Sequence, residues 1–388
     1  MLDERLVALR GQLREWATDF REHAMALDRN PAHIANLLDL PGVRLLSTLG
    51  VPADFGGPGL RVGRFRYDGM SALERVVIIE ELARGDAAMV LASPGPSMSG
   101  VLLEHLADER QKARFYERIT ASATWTFFGL TEPDHGSDAT AIATSLRPVE
   151  EAGGELSLSG AKRYVGNAAR ASLGVVFART APGPFGMSAV VVDTRSPGFT
   201  AEPLDMLGLR GAQISAIALD DVRVSAEWQL GRHLPVTRRG TLAFIKVFNQ
   251  LRPTVAAMAV AVAAAAHELV REHAGTTGGA QRDALEVMGD RIAMTRTLVH
   301  QAAREVDATG NGQLASVAKM SACRLAEETT LRAAALLGPG ARLEIPLLDK
   351  LVRDARGLEF MEGTTNIQRL NVFPTLTSAV GRAGNATG

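Results

Sequence analysis

Apolar positions recur at spacings of three and four through the first third of the chain, as in LERVVIIEELARG at 73–85, and this period predicts helices from Leu2 to about Ala123. The Gly- and Pro-rich segment 51–69 reads as a loop among them. From about Thr124 to Gly231 the period changes to alternation and β-branched runs, such as MSAVVVDT and SAIALDDVRV, separated by APGPFG, SPG and GLRG turns. That stretch predicts a small β-domain. Helical spacing returns from about Thr237, with four or five helices expected and an Ala-rich run at 255–266. The last strong helix carries Lys350, Arg353, Asp354 and Arg356 into Phe360 and Met361, breaks at Gly363-Thr364-Thr365, and resumes near Asn366. No repeat of solenoid period occurs. Three units are expected, over 1–123, 124–235 and 236–388.

A chain of 388 residues that is 46% apolar has material for more than one core. Its formal net charge of -1 offers no electrostatic footprint for nucleic acid or an anionic membrane, so neither partner is expected. Cys323 is the one cysteine, which excludes an intrachain disulfide and a cysteine-based zinc site and predicts a core thiol. The apolar run Val255–Ala266 spans 12 residues, short of the about 20 a bilayer needs. The charged, amphipathic N-terminus lacks the apolar stretch of a secretory signal, and a cytoplasmic location is expected.

Two motifs carry candidate chemistry. Glu362 stands directly before Gly363 and Thr364, where the backbone can turn sharply, and Phe360 and Met361 beside it suggest an apolar setting that raises a carboxyl pKa and strengthens the base. A helix-end glutamate of no special role has the same local pattern. Residues 127–139, FFGLTEPDHGSDA, interleave Thr131, Ser137 and Asp138 with Gly129, Pro133 and Gly136. Such a loop suits a pyrophosphate or the polar edge of a flavin, and equally a structural turn. His135 lies in it without a second histidine or carboxylate at ligand spacing, so no metal site is expected.

Six ordered blocks join these motifs: 105–119, 130–139, 160–171, 208–224, 252–263 and 353–369. Together they resemble the acyl-CoA dehydrogenase family of flavoproteins. The resemblance implies an α+β fold with an N-terminal α-helical domain, a central β-domain and a C-terminal four-helix bundle. It implies FAD-dependent α,β-desaturation of an acyl thioester, with Glu362 removing the α-proton while flavin N5 takes the β-hydride, and the base residue's backbone N–H helping to hold the thioester carbonyl. Relatives that place the base on the earlier helix would do so where this chain has Leu251, which cannot accept a proton. Arg252 beside it is expected near the substrate and Glu362. Phe128, Leu130, Thr131, Ser137, Tyr164, Gly166, Arg271, Gln281, Thr364 and Asn366 fall at cofactor-binding positions. For Tyr164 a strand aromatic packed in the β-domain remains the other reading.

The chain departs from the family pattern in places. Gly166 stands where many relatives have Thr or Ser, Ala274 where they have an aromatic residue, Ala335 where they have Gln, and Pro339 and Ala341 alter a Gly-rich turn. The resemblance implies that most of these lie on the surface that a neighbouring subunit offers to the adenosine half of FAD, and they suit a divergent branch. The choice between acyl-CoA and an acyl-carrier-protein thioester stays open, as does that between a dehydrogenase and an oxidase. A monooxygenase, which typically lacks the glutamate, and a cofactor-free homologue are further alternatives. An electron-transfer flavoprotein is the implied electron acceptor, and a homo-oligomer, dimer or tetramer, is the implied assembly.

Overall fold

The computed structural model describes residues 2–149, 154–183, 185–273 and 278–373. The first unit holds α1 (Glu4–Arg29), α2 (Pro41–Thr48), α3 (Ala72–Ala92), α4 (Ser97–Leu106) and α5 (Glu109–Ala121). On α1 the Asp3 side chain caps the Leu6 amide, and Leu6, Leu9, Leu13, Phe20 and Leu27 form the buried stripe that the sequence period requires. The expected loop at 51–69 contains instead an antiparallel strand pair, β1 (Leu60–Val62) and β2 (Phe65–Tyr67), closed by a two-residue turn with Gly63 at positive φ. Along α3 almost every residue is buried, and Gly85 lets α1 lie against it: a Cβ there would stand 2.1 Å from the Ala17 carbonyl. The helix breaks its regular dihedrals at Asp86.

Seven strands form the central sheet: β3 (Thr126–Gly129), β4 (Ser145–Pro148), β5 (Glu155–Val165), β6 (Leu173–Arg179), β7 (Met187–Asp193), β8 (Phe199–Pro203) and β9 (Ser215–Ser225). Their order is β3-β6-β4-β5-β9-β8, with β7 also pairing β6. β6 and β7 are buried along nearly their whole length, which is why their sequences run apolar rather than alternating. β5 alternates, and its register against β9 slips between Lys162 and Val165. That irregularity carries Tyr164 at φ 59°.

The third unit comprises α6 (Thr241–His273), α7 (Gly279–Thr309), α8 (Gln313–Leu337), the short α9 (Ala341–Glu344) and α10 (Pro346–Phe360), followed by a helical stretch at 365–373. The four long helices make the bundle that the resemblance implied. The stretch 236–273 is long and apolar enough to cross a membrane, yet 89% of its apolar window is buried in the protein, where the small side chains of 255–266 let neighbouring helices approach. Helices of the first and third units share one core: Leu13 and Ile78 join the same cluster as Val260, Val299 and Leu358. A second core fills the space between α4, α5, one sheet face and the start of α6.

Segment 208–213 ties the sheet to both helical units. Gly208 passes so close to α10 that a Cβ would stand 2.3 Å from the Arg353 carbonyl, the Leu209 amide donates to Asp354 Oδ1 at 2.6 Å, and the Asn167 amide donates to the Ala212 carbonyl at 2.9 Å. Asp354 also accepts from Lys350, whose Nζ lies 2.5 Å from it and 2.5 Å from Asp86 on α3. All three are buried. Burial holds the Asp86 carboxyl up at about 6, against the pull of Lys350.

Candidate functional site

α10 ends at Phe360, and the chain turns through Glu362 at φ 51° and Gly363 at φ 97° before the next helix begins at 365. Glycine is needed at 363, where a Cβ would lie 2.8 Å from Gln368 Nε2. At Glu362 the left-handed conformation is strained for a residue with a side chain, by about 1–2 kcal/mol, and surrounding bonds maintain it. Gln368 donates to the Glu362 carbonyl at 3.0 Å and the Gly363 carbonyl at 2.9 Å. Lys319 of α8 donates to the Glu359 carbonyl at 2.5 Å and to the Gly363 carbonyl at 2.8 Å. Glu359 caps the following helix through the Thr365 amide at 2.6 Å and hydroxyl at 2.9 Å.

Held this way, Glu362 buries its Oε2 without any hydrogen-bond partner. Desolvation pushes the carboxyl up to about 8, opposed by the charges of Arg252 and Lys319. The apolar setting read from the sequence is therefore present, but not from the residue expected to supply it: Phe360 is 67% exposed, and Met361 alone of the pair packs against the core. Arg252 is buried on α6 next to the Glu362 turn. Its Nε donates to the Glu362 main-chain carbonyl at 3.4 Å and its Nη1 to Asn249 Oδ1 at 2.9 Å, so it is not a direct ion pair with the carboxylate. Leu251, the alternative base position, is buried in the second core.

A chain of contacts runs from this turn to the β-domain. The Arg252 guanidinium lies 5.7 Å from the Phe248 ring centre, and Phe248 lies 6.2 Å from Phe128 at the end of β3. Beyond Phe128, the loop 130–138 is fixed by a buried ion pair that the sequence reading passed over. Lys162, fully buried on β5, donates to Glu132 at 2.8 Å and to the Leu130 carbonyl at 3.1 Å, while Glu132 accepts from the Ala143 and Thr144 amides. The side chain of Leu130 is thereby spent in the second core. Thr131 stays half-buried, and its carbonyl accepts the Arg163 amide at 2.9 Å, which sets it beside Tyr164.

Tyr164 does not pack within the sheet. The residue is 58% exposed, with the Arg163 guanidinium 5.3 Å from its ring centre. At Gly166 an added Cβ would meet nothing nearer than Ile214 Cδ1 at 3.8 Å, so the ground over this residue is open. Neighbouring Asn167 leaves its Oδ1 buried and unpartnered while its amide nitrogen donates to the Leu91 carbonyl at 2.8 Å. Ser137 is exposed on the loop, Thr364 is half-buried and Asn366 exposed after the Glu362 turn. The exposed Tyr164, the open space over Gly166 and the orphaned buried carboxyl oxygen of Glu362 are each compatible with a bound flavin and its substrate.

Two expected residues stand apart. Arg271 is exposed at the far end of α6, 19 residues from Arg252 or about 28 Å along the helix, and Gln281 opens α7, donating to the Leu336 carbonyl at 3.1 Å. The Gln281 bond lies beside a surface depression of about 370 Å³ lined by Ala334, Ala335, Gly338, Pro339 and Arg342. Ala274 lies outside the described residues. The sequence reading also missed Lys319, Gln368, Glu359 and Phe248. Only the 3.6-residue phase of 365–373, which turns Gln368 inward, hinted at any of them.

Family models match the chain in order: the acyl-CoA dehydrogenase N-terminal domain over 3–123, the middle domain over 127–222 and the C-terminal domain over 238–376. An acyl-CoA dehydrogenase of Bacillus subtilis is 28% identical over 379 residues, covering 94% of this chain and 96% of the relative. Butyryl-CoA dehydrogenase from Megasphaera elsdenii superposes with a TM-score of 0.81 at 25% identity, covering 97% of this chain and 99% of that one. A prolyl acyl carrier protein oxidase shares the fold with a TM-score of 0.82 at 20% identity, covering 97% and 100%.

Proposed function

The chain belongs to the acyl-CoA dehydrogenase family, whose members are FAD-dependent oxidoreductases, and from that premise we propose that it desaturates an acyl thioester between Cα and Cβ with Glu362 as the base. The observation that carries this reading is the buried, unpartnered Oε2 of Glu362 on a turn held in the left-handed region. When bound, a flavin supplies the acceptor for the hydride leaving Cβ.

The protein's part is position and proton affinity. A carboxyl raised from 4.5 to about 8 is a stronger base toward an α-proton than an exposed glutamate. At neutral pH the carboxyl is mostly protonated, so activity is expected to rise with pH through about 8. The Glu362 backbone N–H donates to the thioester carbonyl and favours the developing enolate. Phe128, the Leu130 main chain and Thr131 of the β-domain, with Ser137, Tyr164, the Gly166 backbone, Thr364 and Asn366, would hold the flavin in this reading. Arg271 and Gln281 sit too far along the bundle to join them within one chain, so in this reading they serve the site of a neighbouring copy. Val287, Met294 and Leu331 expose apolar side chains on α7 and α8, as a homo-oligomer contact would. Carriage of the acyl group by CoA or by a carrier protein is left to the test.

That test is an anaerobic visible spectrum of the FAD-reconstituted protein, titrated with acyl-CoA and acyl-carrier-protein thioesters beside Glu362→Gln. Bleaching of the flavin band in the parent alone is the expected result, and the thioester that bleaches it names the carrier. Readmitting air separates the oxidase from the dehydrogenase by how fast the colour returns. No bleaching with any thioester would overturn the proposal.

A further inference from the structure

We propose that Lys319 is a positioning residue for the base: from α8 it grips the main-chain carbonyls of Glu359 and Gly363, on either side of Glu362, and fixes where that carboxyl stands. The inference rests on the desaturase reading only for its catalytic consequence.

Lys319 is fully buried, and a buried ammonium is costly unless its donors are satisfied. The nearest carboxylate, on Glu359, is 3.9 Å away, and its oxygens are already engaged by the Thr365 amide and hydroxyl. The bonds of Lys319 therefore go to backbone, and the backbone they hold is the strained turn. Removing them would take the charged donor from the Glu359 and Gly363 carbonyls in the interior and leave the turn held by Gln368 and Arg252. Gln368 grips the same turn without charge, sharing the Gly363 carbonyl with Lys319.

The charged and titratable groups packed around Glu362 are few. Arg252 faces it from α6, Lys319 from α8, and Glu359 lies on its own segment beyond Lys319. Cys323, one turn further along α8, donates to the Leu358 carbonyl and stays neutral, its thiol raised by burial to about 12. Two cations thus oppose the desolvation of one carboxyl; Arg252 reaches the Glu362 carbonyl only at 3.4 Å, whereas Lys319 holds a carbonyl on either side of it at 2.5 and 2.8 Å.

Lys319→Met and Lys319→Arg in the full chain test the assignment with two readouts. One is the infrared C=O stretch of the protonated Glu362 carboxyl, identified by its absence in Glu362→Gln and followed against pH without substrate. The other is the acid limb of flavin reduction. Methionine should move both midpoints upward by about one pH unit and slow reduction at neutral pH about tenfold with little change in KM, and arginine should restore the midpoints. Should methionine prevent folding, Lys319→Gln, which keeps a donor toward the carbonyls, carries the same midpoint measurement. A folded variant whose Glu362 midpoint matches the parent would overturn the proposal. The infrared arm reads Lys319 even if no thioester ever reduces the flavin, so this failure and failure of the desaturase reading are distinguishable.

Discussion

Replacing Glu362 by Gln keeps the shape of the side chain and removes its proton equilibrium, so the difference in stability between variant and parent isolates the buried carboxyl. Its folded-state pKa of about 8 lies above the unfolded value of 4.5, so the folded protein holds a proton that the unfolded chain releases. The stabilisation from that proton is complete below pH 4.5 and is lost steadily as pH rises to about 8, after which it levels off. At ~1.36 kcal/mol for each pH unit between those limits, the effect is on the order of a few kcal/mol. Glu362→Gln should therefore gain on the parent by roughly 1.4 kcal/mol per pH unit between pH 5 and pH 8 and keep a constant advantage above it. Urea unfolding of both proteins in parallel, at fixed cofactor occupancy and at half-unit pH steps, measures the difference, and every other titrating group cancels. A flat difference would refute the burial argument. A difference of opposite slope would show that Arg252 and Lys319 overcome desolvation and keep the carboxylate ionised.

Two further outcomes are open to measurement. Gly166→Ser adds a side chain with only Ile214 within 4 Å, so its melting temperature should match the parent to within the effect of about 0.5 kcal/mol, while FAD retention on gel filtration should hold or improve through the added hydroxyl; loss of stability would show that the ground over Gly166 is not open. Light scattering at micromolar concentration should give a dimer or tetramer, and a monomer would contradict the assignment of Arg271 and Gln281 to a neighbouring copy's site.

Local signals made much of this fold legible. The change from helical spacing to alternation near Thr124 and back near Thr237 outlined the helical, β and helical units, and the Gly363-Thr364 break located the turn that carries Glu362. What was hidden depends on contacts between distant segments. Lys319 precedes Gly363 by 44 positions and looks like any lysine in a helix until the bundle packs it under the turn. The same holds for Lys162, whose role appears only when β5 lies beside the loop containing Glu132, 30 positions earlier. Phe360 misled for the converse reason: adjacency in sequence at a helix end says little about which side of the backbone a ring will take. The hairpin at 60–67 was concealed by its brevity, since three-residue strands leave almost no alternation to read.

The Lys350 contact with Asp86 spans 264 positions and reaches across the entire β-domain. As the chain leaves the ribosome, α3 emerges with an apolar face that waits for α6 and an acid, Asp86, whose partner Lys350 is not made until the last fifth of the sequence. Closing so long a loop is slow, and neither charge can enter the interior before the other arrives. The two helical units thus mature as a single cooperative body with the sheet as an insertion between them. A fragment ending after the β-domain would be a poor monomer and a client for chaperones.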